Sequence, residues 1–128
     1  MNPVFLGLDE IIEIHRDQIK RYGGMAGIRD MNFLQSAAAM PAAGFGEHYV
    51  HSDLFEMAAA YLFHLVRNHP FLDGNKRTGA VAAIIFLALN GIELDADEPS
   101  FEELVWSVAK GEAGKDSIAD FFRLNALK

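Results

Sequence analysis

The chain has 128 residues, of which 51% are hydrophobic and 23% charged, with a formal net charge of −7 and no cysteine. Those proportions fit one soluble globular domain over residues 1–128 and exclude disulfides and thiolate zinc sites. An acidic chain is a poor non-specific ligand for polyanions, so direct nucleic-acid binding is not expected.

The N-terminal Met1-Asn2-Pro3-Val4-Phe5 lacks the basic start and long apolar core of a signal peptide. A first helix is predicted from Leu8 to Lys20, where Ile11, Ile14, His15, Gln18 and Ile19 recur at helical spacing. Asp9, Glu10 and Glu13 lie near its positive end, and Tyr22-Gly23-Gly24 stops it. Asp30 is placed to cap a short helix to Ala39, which Pro41 ends. Residues 42–52 follow neither period and suggest an extended or hairpin-like flap. Asp53 then caps a long helix to about Asn68, apolar around most of its circumference, as a central bundle helix is. The longest apolar run, Gly79 to Leu89, is too short to span a membrane and reads as part of a buried helix that starts near Asn75. Pro99 fits the first turn of a helix to about Lys110, and Lys115–Ala126 reads as the last helix, with Ile118, Phe121, Phe122 and Leu124 inward. The expected fold is all-α, a compact bundle of about six helices with a small extended flap.

Between the two most apolar helices stands His69-Pro70-Phe71-Leu72-Asp73-Gly74-Asn75-Lys76-Arg77. Each residue alone has a structural explanation: Pro70 and Gly74 make the turn, His69 caps a carbonyl, Asp73 caps the next helix. Together they describe a phosphate site. Gly74 permits close backbone approach, and the first N–H groups of the next helix, with its dipole, attract an anion. Lys76 adds a point charge and Arg77 a planar fork that fits two phosphate oxygens. Asp73 is a hard oxygen ligand suited to magnesium. Histidine ordinarily titrates near pH 6.5, which suits His69 to take a proton from an incoming hydroxyl. Competing chemistries fit poorly. Gly74 and Gly79 have Walker A spacing, but Ala80 stands where the lysine belongs and no strand precedes the loop. His48, His51, His64 and His69 lack the spacing and glutamate of a zinc protease, and with His15 the first three read as surface or packing residues.

The run His69 to Arg77 resembles the Fic/Doc motif, His-x-Phe-x-Asp/Glu-x-Asn-Gly/Lys-x-x followed by Arg or another residue. Arg21-Tyr22-Gly23-Gly24, Ser36-Ala37, Asp53-Leu54-Phe55 and Phe86-Leu87-x-x-Asn90-Gly91 are similar to the death-on-curing (Doc) branch, so the likeness covers most of residues 5–125. The resemblance implies a Fic fold, His69 as base, Asp73 as magnesium ligand, and Gly74, Asn75, Lys76 and Arg77 as the cradle for the phosphates of ATP. AMP-transferring members carry glycine and a second arginine where this chain has Lys76 and Ala80, departures shared with Doc toxins. The Doc likeness implies a cytoplasmic toxin that moves the terminal phosphate of ATP to a threonine of elongation factor Tu and is neutralised by a Phd-type antitoxin. Two alternatives stay open: AMP transfer to a protein hydroxyl, and a catalytically silent module that binds an antitoxin.

Overall fold

A computed structural model describes residues 2–127. Six helices lie among them: α1 (Leu8–Tyr22), α2 (Met31–Ala39), α3 (Leu54–Arg67), α4 (Asn75–Leu89), α5 (Glu98–Ala109) and α6 (Lys115–Asn125). A single 3₁₀ turn (Met40–Ala42) and a small antiparallel hairpin, β1 (Gly44–Phe45) with β2 (His48–Tyr49), join α2 to α3. The all-α expectation holds, and the extended flap is this hairpin.

The helix starts follow from their caps. The Asp30 side chain accepts from Phe33 N–H, that of Asp53 from Glu56 N–H and that of Asp97 from Ser100 N–H, each taking up an N–H that no helix bond can reach. At α1 the glycine cap has no side chain, and Glu10 reaches back to the Gly7 N–H at 3.2 Å instead. That helix runs to Tyr22, two residues beyond the expected Lys20, because Gly23 with its positive φ supplies the stop.

Helix α3 is the centre of the bundle, with Met57 to Leu62, Leu65 and Val66 all buried, and it packs chiefly on α4 and α6. Gly79 makes the α3–α4 approach possible. A Cβ there would lie 3.0 Å from Val66 Cγ2 and 3.2 Å from the Leu62 carbonyl oxygen, so any side chain would push the helices apart. Two expectations about faces need correction. Leu124 is 85% exposed, since Ile118, Ala119 and Phe122 form the inward stripe of α6 and Leu124 lies two residues, roughly 200°, round from Phe122. Helix α4 is buried on one side only: Ala82, Ala83, Phe86 and Leu87 face the core, while Ile84 and Leu89 face out. No described helix is long and apolar enough to cross a membrane.

Candidate active site

The loop from Asn68 to Gly74 leaves α3, reverses direction and enters α4. Its path is set by backbone contacts to the Gly27–Asp30 segment. The N–H groups of Arg29 and Asp30 both donate to the Pro70 carbonyl, and Leu72 N–H donates to the Gly27 carbonyl at 3.0 Å. The Arg29 guanidinium holds the carbonyls of His69 at 2.6 Å and Asn68 at 2.9 Å. His69 takes a φ of +48°, the one non-glycine residue with positive φ among those described. That conformation costs on the order of 1–2 kcal/mol, which the Arg29 and Pro70 contacts hold in place. The backbone of His69 is fixed while its imidazole lies exposed at the surface.

Phe71 anchors the loop from below. It is buried, and the Asn75 side chain grips its backbone twice: Oδ1 accepts from Phe71 N–H and Nδ2 donates to the Phe71 carbonyl, both at 3.0 Å. The amide of Asn75 is therefore occupied inside the protein, and what Asn75 offers a ligand is its backbone N–H. His15 of α1 closes the arrangement. Its ring stacks on Phe71 with centroids 3.8 Å apart and planes 4° from parallel, and its Nε2 lies 2.8 Å from the Asp73 carbonyl oxygen.

Asp73 is exposed, with both carboxylate oxygens engaged: Oδ2 accepts from Met25 N–H at 3.1 Å and Oδ1 from Gly74 N–H at 2.8 Å. These two N–H donors, with smaller contributions from Arg77 and Lys76, hold its carboxyl below the usual carboxylate range. It stays ionised, and each oxygen retains lone-pair capacity for a hard cation. Gly24 takes a φ of +115°, which disfavours any side chain, and a Cβ there would sit 2.8 Å from Oδ2 and displace the carboxylate.

Helix α4 begins without a side-chain cap. Gly74 takes the left-handed conformation (φ +75°, ψ 16°), and the first helical bond is Thr78 N–H to the Gly74 carbonyl. The N–H groups of Asn75, Lys76 and Arg77 therefore precede the helix ladder, as an anion site requires. The Arg77 guanidinium donates to the Gly23 carbonyl at 2.9 Å and lies 5.6 Å from the Tyr22 ring centroid, on the α1 side. Lys76 turns the other way, its ammonium 4.4 Å above the Trp106 ring of α5. The loop thus leaves His69 and Asp73 exposed and sets Asp73, Gly74 and Arg77 together at the start of α4, with Asn75 inward and Lys76 to one side.

A cavity of about 500 Å³ adjoins the loop, lined by Ile12, His15, Ile19, Ala26, Ile28 and Phe71 among others, and neither His69 nor Asp73 lines it. The stacked rings of His15 and Phe71 are part of its wall. The charged groups of the loop, Asp73 and Arg77, lie outside this cavity, at the start of α4.

The residues that sequence reasoning passed over are His15, Arg29 and Met25. His15 carried a signal: a polar residue on the inward stripe of an amphipathic helix needs a buried partner. Arg29 and the Met25 N–H act on the loop across the fold, which local spacing does not reveal.

This set of groups defines a class: a helical fold that presents a histidine, a carboxylate and an uncapped helix N-terminus from one loop. A sequence profile of the Fic/DOC family matches residues 5–87, and the chain belongs to that family. It is 36% identical over 115 residues to "Protein kinase doc" of Escherichia phage P1, covering 90% of each chain. It is 41% identical over 100 residues to "Toxin Doc" of Mycolicibacterium smegmatis, covering 77% of each.

Proposed function

We propose that the chain is the toxin of a toxin–antitoxin pair and a protein kinase-like phosphotransferase, moving the terminal phosphate of ATP to a threonine hydroxyl of a translation factor resembling elongation factor Tu. The observation that carries the reading is the Asn68–Arg77 loop, which sets an ionised carboxylate beside the free N–H groups of α4 and carries an exposed histidine. The names of the two relatives, one a kinase and one a toxin, support both halves of it.

In this mechanism His69 takes the proton from the target hydroxyl as its oxygen bonds to the terminal phosphorus. The bond from that phosphorus to the bridging oxygen breaks, and ADP leaves with the electron pair. The N–H groups of Asn75, Lys76 and Arg77 and the Arg77 guanidinium hold phosphate oxygens. Asp73 would hold magnesium, which when bound spreads the negative charge of the phosphates. Its exposed, ionised carboxylate fits that role. Lys76 stands where AMP-transferring members have glycine, its ammonium turned to Trp106, and Ala80, one turn on, supplies no second clamp. Both features favour an outward-facing terminal phosphate over transfer of the inner one. A Phd-type antitoxin is the proposed partner.

The test is the mass added to elongation factor Tu after incubation with the chain, ATP and magnesium. One phosphate on a threonine is expected, and an AMP adduct overturns the kinase assignment. His69→Ala should lower the rate by about 10²–10⁴-fold, the usual contribution of a general base, with an unchanged circular dichroism spectrum. Transfer by that variant at the parent rate removes His69 from the mechanism.

A further inference from the structure

His15 lies outside the motif, 58 residues from Asp73 in sequence, yet it is in direct contact with the loop. A carbonyl oxygen can only accept, so the 2.8 Å contact to Asp73 O requires a proton on His15 Nε2. The same ring lies flat on Phe71, whose backbone is gripped by Asn75. His15 is 3% exposed and sits on the rigid interior stripe of α1. The fixed points of the loop floor are therefore Asn75 on one side of Phe71 and His15 on the other. From this floor the Asp73 carbonyl is held downward, and its carboxylate is left facing the Met25 and Gly74 N–H groups.

We propose that His15 is a positioning residue of this site, fixing the Asp73 main chain through its Nε2–H and the Phe71 ring through stacking, and thereby aiming the Asp73 carboxylate at a magnesium–nucleotide complex. The proposal rests on the reading of Asp73 as the cation-holding residue. Groups that orient a ligating side chain without touching the ion are commonly worth about 10–100-fold in metal affinity or activity. His15 is not a catalytic residue, since its ring faces the loop's underside. Its ring also forms part of the wall of the cavity that Phe71 lines.

Two substitutions divide its two contacts. His15→Phe keeps an aromatic ring against Phe71 and removes the donor, whereas His15→Gln keeps an amide donor near the Nε2 position and removes the stack. Binding of magnesium–ATP by calorimetry should weaken about tenfold in His15→Phe and recover in part in His15→Gln. Melting temperatures should stay close to the parent, and the backbone amide resonances of Asp73 and Gly74 should shift in ligand-free His15→Phe. Parent-like magnesium–ATP affinity in folded His15→Phe, with unmoved Asp73 and Gly74 resonances, overturns the proposal. Should His15→Phe fail to fold, the tautomer decides in the parent chain. A long-range nitrogen–proton correlation is expected to show Nε2 protonated, and an Nδ1-protonated ring overturns the proposal. Neither readout needs a protein target, so a failure of phosphotransfer to elongation factor Tu leaves this test standing.

Discussion

Asp73 carries its carboxylate in the open, while Asn75, two positions on, has its amide buried against the Phe71 backbone. Both belong to one motif, and both were read as ligand-facing residues from sequence alone. The structure assigns them different work, and substitution should separate the two. Asn75→Ala leaves the Phe71 N–H and C=O without partners in a buried place, at about 1–3 kcal/mol per unsatisfied group. It should lose stability of that order in urea unfolding, and a variant as stable as the parent would show that the clamp contributes nothing. Asp73→Asn keeps an acceptor for the Met25 or Gly74 N–H but drops the charge. Its unfolding midpoint should move little, while magnesium-dependent activity per folded molecule falls by at least about tenfold. A collapse in stability with undiminished activity would make Asp73 a structural tether only. The sequence could not separate these roles, because Asn75 turns to the backbone of Phe71, which packs on His15 of α1, and Asp73 turns to the Met25 N–H.

At the level of elements, α6 is fastened to α3 at two points. Arg123 reaches Asp53 at 2.9 Å and Glu56 at 3.4 Å, binding the start of α3. Further along, the Lys115 ammonium lies 3.3 Å from His51 Nε2 and 3.5 Å from His64 Nε2. Burial, then the Lys115 charge, push the His64 pKa down to about 4, and the same causes lower that of His51. His15 is also lowered, first by burial. A histidine that resists protonation when folded stabilises the fold fully above its ordinary pKa near 6.5. That stability is lost as pH falls, because the unfolded chain takes up the proton first. Each such group removes up to about 1.4 kcal/mol per pH unit within its window. The melting temperature should therefore drop steadily from pH 6.5 to 4.5, above the range in which the lowered carboxyls of Asp73 and Asp97 begin to contribute. His64→Asn should flatten that slope, and an unchanged slope would place the acid sensitivity elsewhere. The helices themselves were legible because their signals are local: Asp30, Asp53 and Pro99 mark starts, and the apolar pattern marks α3. The segment from Gly23 to Arg29 was not. Its conformation is written in contacts to residues 68–73, 39 to 48 positions away, and only the fold brings them together.

For the molecule as a whole, a net charge of −7 repels a nucleotide, so on the proposed function affinity for ATP has to come from a local positive site. In the proposed reading that place is the uncapped start of α4 with Arg77, and Asp73 beside it would favour a nucleotide already carrying a divalent cation. Unfolded chain offers no such site, so ligand at 100 times its dissociation constant should stabilise the fold by about 2.7 kcal/mol. With an unfolding entropy of about 2.1 cal/mol/K per residue, that corresponds to a rise in melting temperature of roughly 10 °C. A thermal melt with ATP plus magnesium should show it, and ATP with chelator should give a smaller rise, since only the N–H groups and Arg77 remain to hold the phosphates. In Asp73→Asn the difference between the two conditions should vanish. In Arg77→Ala both rises should shrink while the ligand-free melt falls modestly through loss of the Gly23 contact. If Asp73→Asn still distinguishes magnesium–ATP from ATP alone, the cation is held by something other than Asp73, and the assignment of this loop as a magnesium–phosphate site fails at its central residue.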